Sequence, residues 1–250
     1  MVFGLFGKGR KKALAQPPEG TVVYAVGDIH GCFRLLVRLQ EQIEEDMARR
    51  DASRRVVVYL GDYVDRGPNS RTVLEHLLTQ PLADCESVHL AGNHDRWMLK
   101  FLDDASVGSP WLRNGGTETL VSYGVVPPRT LGEAEFASLQ QAFNEALPDT
   151  HRAFLQSMPV SHEEGDFFFA HAGVKPGVAL AEQVENDLTW IREEFLYSND
   201  DFGKVVVHGH TPTHSPEEYP NRIGVDTGAF MSGKLTAAIL HRGKTSFMHS

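Results

Sequence analysis

The chain has 250 residues, 41% of them hydrophobic, and a formal net charge of -9. That length and apolar content suit one domain with a sizeable core. The negative balance argues against a dedicated nucleic-acid binder, which usually carries a basic stripe, but not against a small phosphate-bearing substrate, because bound metal ions can dominate a local field. Two cysteines, Cys32 and Cys85, are too few for a disulfide scaffold and point to a reducing, cytoplasmic setting.

No apolar run reaches the ~20 residues of a membrane span, so no stable membrane insertion is expected. Residues 1–18 read as a flexible tail. Its apolar residues (Val2, Phe3, Leu5, Phe6) precede Lys8, Arg10, Lys11 and Lys12, the reverse of a signal peptide's order. Residues 19–250 read as one domain. A β-branched run predicts a buried strand over 21–26, and apolar spacing from Phe33 through Leu36, Ile43 and Met47 predicts a helix over 32–50. The pattern repeats: strand 55–60 and helix 71–78, then strand 87–90 and helix 96–102. Three strand–loop–helix units imply parallel strands with right-handed crossovers and a ligand site beyond the strands' carboxyl ends. The segment 103–157 changes character, with a Gly115-Gly116 pair, a Pro127-Pro128 break and helical patterns over 133–147 and 150–156. It reads as a small helical cap. A hairpin near 160–169 and strands over 205–207, 222–226, 235–240 and 244–248 follow, giving an α/β fold with a strand-rich second half.

Chemistry-bearing residues cluster at the strand ends. GDIHG begins at Gly27, GDYVDRG at Gly61 and GNHD at Gly92, each read as a loop after an apolar run. HAGV at His171 and HGHTP at His208 follow later strands in the same way. Carboxylate, imidazole and amide donors suit a two-metal hydrolytic centre, and an arginine fork suits a phosphate.

These five motifs, in this order, resemble the metallophosphoesterase superfamily over roughly residues 22–240. The DRG arginine and the GNH spacing resemble its phosphoprotein phosphatase branch, of the compact bacterial and phage-lambda type. The resemblance implies a β-sandwich flanked by helices. It implies that Asp62 bridges two divalent cations (Mn2+, with Fe or Zn2+ as alternatives), that Asp28 and His30 complete one site, and that Asn93, His171 and His210 complete the other. A water between two such ions loses its proton near neutral pH and serves as nucleophile. His94 is the implied acid and Asp65 its partner. Arg66 is the implied phosphate clamp, joined by Arg192, with Arg113 as the cap's alternative. His208 reads as a structural neighbour of His210, and Asp95 as a support rather than a ligand. Asp226 reads equally as a support of the site or a turn residue. The remaining histidines have no motif context.

The implied activity is removal of phosphate from phosphoserine and phosphothreonine, with phosphotyrosine also admissible; phosphoprotein is then the partner. The alternative is a diadenosine tetraphosphate hydrolase, whose branch shares the motif order and also reads GNHD. A third reading, a non-catalytic binding module, has every proposed ligand and the proposed acid against it.

Overall fold

The computed structural model of the protein describes residues 14–250. Thr21–Val26 (β1) is buried along its whole length because both of its faces are covered. Val22, Tyr24 and Val26 pack toward the helices, while Val23 and Ala25 pack toward a second sheet. This period-2 division explains the unbroken apolar run. Phe33–Arg49 (α1) follows, then Arg54–Tyr59 (β2), Ser70–Thr79 (α2), Glu86–His89 (β3) and Asn93–Asp103 (α3). β1 pairs with β2 and β2 with β3, both in parallel, as the three-unit pattern predicts.

The cap region is helical. Gly108–Trp111 (α4) runs through a widened, π-type stretch, Leu112–Gly116, into Thr117–Ser122 (α5). Glu133–Ala146 (α6) and Asp149–Ser157 (α7) complete it, and Trp111, Tyr123 and Phe143 join its core to Phe101 of α3. Ser161–Glu164 (β4) and Phe167–Ala170 (β5) form the expected hairpin. Short helices Glu185–Trp190 (α8) and Glu193–Leu196 (α9) precede Val205–His208 (β6), Glu217–Glu218 (β7) and Arg222–Gly224 (β8). A four-residue helix, Ala229–Ser232 (α10), leads into Thr236–His241 (β9) and Lys244–His249 (β10).

The strands form two five-stranded sheets, in the orders β10-β9-β1-β2-β3 and β4-β5-β6-β8-β7. Val23, Ala25, Val56 and Val58 of the first meet Phe167, Phe169, Val207 and Ile223 of the second, and helices cover the outer face of the first. This is the helix-flanked β-sandwich expected from the sequence. Short elements such as α8, α9 and α10 escape sequence reading because four to six residues are too few to show a helical period.

Of the predicted tail, residues 1–13 lie outside the described residues. Its inner end is tied down: Gln16 and Asp166 exchange hydrogen bonds, the Gln16 N–H donating to the Asp166 carboxylate and the Asp166 N–H to the Gln16 carbonyl, each at 3.1 Å. Among the described residues, no helix is long and apolar enough to cross a membrane.

Candidate metal centre

Parallel β1, β2 and β3 end side by side, so the loops after them share one edge. GDIHG and GDYVDRG lie on such loops. GNHD does not: Asn93, His94 and Asp95 form the first turn of α3, which starts three residues earlier than the apolar pattern predicts. Asp95 explains the early start. Its carboxylate accepts the Gly92 N–H (2.9 Å), an N-terminal cap, and also the N–H groups of Asp62 (2.8 Å) and Tyr63 (3.0 Å). Asp95 therefore locks the second motif to the third. It belongs to neither of the two metal-ligand groups described below.

The backbone is strained where it serves the site. Among the described residues, seven non-glycine residues have positive φ, and His30, Asp62, Asp65, Arg66 and His210 are five of them. Each such residue costs about 1–3 kcal/mol and persists only where surrounding contacts over-determine it.

Asp62 is 1% exposed and stands at the middle. Its Oδ2 is 3.5 Å from His30 Nε2 and 3.4 Å from His171 Nε2, while its Oδ1 accepts the His94 backbone N–H at 3.0 Å. Two groups of mutually close donor atoms share it: His30, Asp62 and His94, and Asp62, His171 and His210. Asn93 joins the second group, with its Oδ1 2.9 Å from His171 Nε2. Asp28 borders the first, its Oδ2 3.9 Å from His30 Nε2, and its carboxylate accepts the His210 backbone N–H. The six predicted ligands therefore converge, but His94 rather than Asp28 groups with His30 and Asp62. His208 is turned away, buried against the Phe195 ring, its Nδ1 facing the Gly209 carbonyl at 3.1 Å.

The donor set fits divalent cations. His30 donates its Nδ1–H to the Val64 carbonyl at 2.8 Å, and burial holds its pKa down at about 3, so Nε2 is left unprotonated beside Asp62, with a lone pair that a cation can take. His171 Nδ1 is fixed in the same way on the Leu60 carbonyl at 2.9 Å. Burial opposes charge on His171, yet Asp62 and Asp28 overcome it and raise the imidazole to about 9. Burial and then His171 push His210 down to about 2, and its buried Nε2 has no hydrogen-bond partner among the described residues. Burial raises Asp28 well above the carboxylate range, with Asp226 adding to it, and raises Asp95 to about 7. Asp62 is held well below that range, because His171 and His94 outweigh its burial. Five carboxyls at or below 4% exposure (Asp28, Asp62, Asp65, Asp95 and Asp226), with the His171 pKa drawn up beside them, mark a centre that favours positive charge.

His94 Nδ1 and Asp65 Oδ2 are 2.6 Å apart. Burial disfavours the imidazolium, but Asp62 and Asp65 win and raise the His94 pKa. Asp65 is held by the cap. Trp111 Nε1 donates to Oδ2 at 2.9 Å and Thr119 Oγ1 to Oδ1 at 2.7 Å. The Arg66 backbone N–H donates to the Gly115 carbonyl at 3.0 Å. Gly115 has φ 106°, and a Cβ there would stand 2.5 Å from Arg66 N; a Cβ on Gly116 would stand 2.5 Å from the Trp111 ring. The glycine pair lets the cap approach the second motif. Trp111 and Thr119 are the residues that sequence reasoning did not assign; the pair was their one visible signal.

Arg66 spans the first group: its Nη1 donates to His30 Nε2 (2.7 Å), and its Nη2 lies 3.0 Å from His94 Nε2. Arg192 is exposed, and its side chain makes no hydrogen bond or ion pair among the described residues; its charge reaches His210. Arg113 is exposed and donates to Ser109 Oγ at 2.9 Å. Asp226 is buried, accepts the Gly228 N–H at 2.8 Å, and acts on the centre through its charge on Asp28.

The calcineurin-like phosphoesterase family matches residues 21–230. An asymmetrical bis(5'-nucleosyl)-tetraphosphatase PrpE of Bacillus mycoides (strain KBAB4) is 24% identical, the match covering 84% of this chain and 87% of that protein. The solved structure of a candidate diadenosine tetraphosphatase superposes with a TM-score of 0.61 at 23% identity, covering 95% of this chain and 97% of that one. A cold-active protein-tyrosine phosphatase of a psychrophilic Shewanella superposes with a TM-score of 0.56 at 17% identity, covering 93% of this chain and 83% of that one.

Proposed function

Because the chain belongs to the calcineurin-like phosphoesterase family, we propose that it is a dinucleoside polyphosphate hydrolase. The observation that carries this reading is the PrpE tetraphosphatase match, which covers more than four-fifths of both proteins. It reverses the order expected from the sequence, in which phosphoproteins led. The solved protein phosphatases that resemble this chain do so at 13–18% identity, a likeness of fold alone.

Asp28, His30, Asp62, Asn93, His171 and His210 are the proposed ligands, and Mn2+ the proposed ion. When bound, two divalent cations polarise the phosphoryl group and lower the pKa of water. The chain's own residues supply the rest. Arg66 offers a two-pronged donor to phosphoryl oxygens, and its backbone is fixed by Gly115. His94 is the proton donor to the leaving oxygen through Nε2, while its Nδ1 stays on Asp65. Trp111 and Thr119 hold Asp65, so the imidazole keeps one orientation. Arg192 lies on the far side, near His210, where it meets the remaining charge of a polyphosphate.

The test is a paired assay at equal Mn2+ with diadenosine tetraphosphate and a phosphoserine peptide. The dinucleotide is expected to show the higher kcat/KM. Efficient turnover of the peptide with none of the dinucleotide returns the protein to the phosphoprotein reading.

A further inference from the structure

Beside Arg66 lies a cavity of about 470 Å3 that the ligand set does not use. Its walls include Arg113, Asn114 and Glu118 from the cap, Arg66 from the loop after β2, and Phe230 of α10. The volume falls within the range of small-molecule sites. Phe230 is 36% exposed, although α10 turns Ala229 inward. It is nevertheless fixed to the centre. The Arg66 guanidinium carbon lies 4.9 Å from its ring centroid, and the His30 ring meets it edge-on at 5.5 Å. An aromatic ring held this way, 36% exposed, bordering a cavity and next to a phosphate clamp, can stack a base on the part that Arg66 and His30 leave open.

We propose that this cavity is a nucleoside subsite: the base stacks on Phe230, its phosphates run along Arg66, and Arg113 meets the charge beyond them. The proposal rests on the functional reading above and deepens it, because it adds recognition of one base to cleavage of the polyphosphate. A plain phosphate has no use for Phe230, so the base contributes separately from the clamp. A single surface phenylalanine needs no explanation by itself; the cavity and the cation on its ring are what single this one out. On the opposite flank, Trp190 is 39% exposed against His210, at 6.1 Å between ring centroids.

The test compares AMP with ribose 5-phosphate, which keeps the phosphate and loses the base, as competitive inhibitors of p-nitrophenyl phosphate hydrolysis by the Mn2+-loaded enzyme. The wild type is expected to prefer AMP by about tenfold. Phe230→Ala and Phe230→Leu lose that preference, and Phe230→Tyr keeps it. Because Phe230 also touches Arg66, each variant is judged on the ratio of the two inhibition constants, in which a shared change in phosphate binding cancels. A wild type without the preference, or a preference that survives Phe230→Leu, overturns the subsite. So does a preference lost in Trp190→Ala and kept in Phe230→Ala. Hydrolysis of diadenosine tetraphosphate by the wild type is scored separately: its absence ends the functional reading, while the AMP ratio still decides the subsite.

Discussion

In residues 21–103 the side chains of the centre stand at the carboxyl ends of parallel strands or in the helix turn that follows. In the cap, residues 103–157, neither ligand group finds a member. The cap's share is hydrogen bonds: Trp111 and Thr119 to the Asp65 carboxylate, and the Gly115 carbonyl to the Arg66 N–H. Strand ends place atoms to within a fraction of a residue because sheet pairing fixes register. Orientation of a long or rotatable side chain needs an outside partner, and an irregular helix can offer one wherever its backbone turns. The first region, joined by His171 and His210 from just beyond β5 and β6 of the second sheet, therefore decides what is in the centre, and the cap decides how two of its members point.

The largest effect expected from breaking the first region comes from Asp62, the carboxylate shared by both groups. Asp62→Asn, or chelation of the wild type, lowers turnover by about 10³-fold or more, since cation charge is worth several kcal/mol in the transition state. Metal content by mass spectrometry must fall with it; an Asp62→Asn enzyme that keeps its metals and its rate removes Asp62 from the centre. Next comes His94→Ala, expected to cost about 10²–10⁴ on a phosphomonoester with a poor leaving group. The loss is smaller on a dinucleoside polyphosphate, whose leaving group departs as a stable anion. Equal losses on both substrates contradict His94 as the proton donor.

Breaking the cap's share has a subtler signature. Trp111→Phe and Thr119→Val are each expected to lower kcat by about 10–100-fold with metal content unchanged. Asp65→Asn goes further and moves the pH profile. The acid works protonated, so activity falls as pH rises through the His94 pKa. Asp62 and Asp65 hold that pKa up against burial. Removing the Asp65 charge lowers it, and the alkaline limb of kcat/KM moves to lower pH. A limb that stays in place shows that His94 does not owe its raised pKa to Asp65. The smallest effect is structural. Gly115→Ala forces a side chain into φ 106° and against Arg66, costing about 1–2 kcal/mol and lowering Tm by about 2–8 °C. Calorimetry that finds no shift means the cap backbone yields freely there.

Much of this centre was legible in the amino-acid order. β-branched runs ending at glycine located β1 and β2, and the residues after them named Asp28, His30, Asp62, Asp65 and Arg66. That legibility has a local cause: a parallel strand buried on both faces must be apolar throughout, and its ligands must follow within a few residues. Asn93 and His94 were identified with the wrong local structure, because a capping carboxylate extends α3 back beyond its apolar period. Trp111, Thr119 and Phe230 were not assigned, since their roles depend on a cap and a four-residue helix that touch the centre only after folding. What the sequence by itself determined is the kind of chemistry, because ligand types and their spacing are local. What only the tertiary structure decided is which side chains fix Asp65 beside His94 and which ring borders Arg66, because both rest on contacts between residues far apart in the chain.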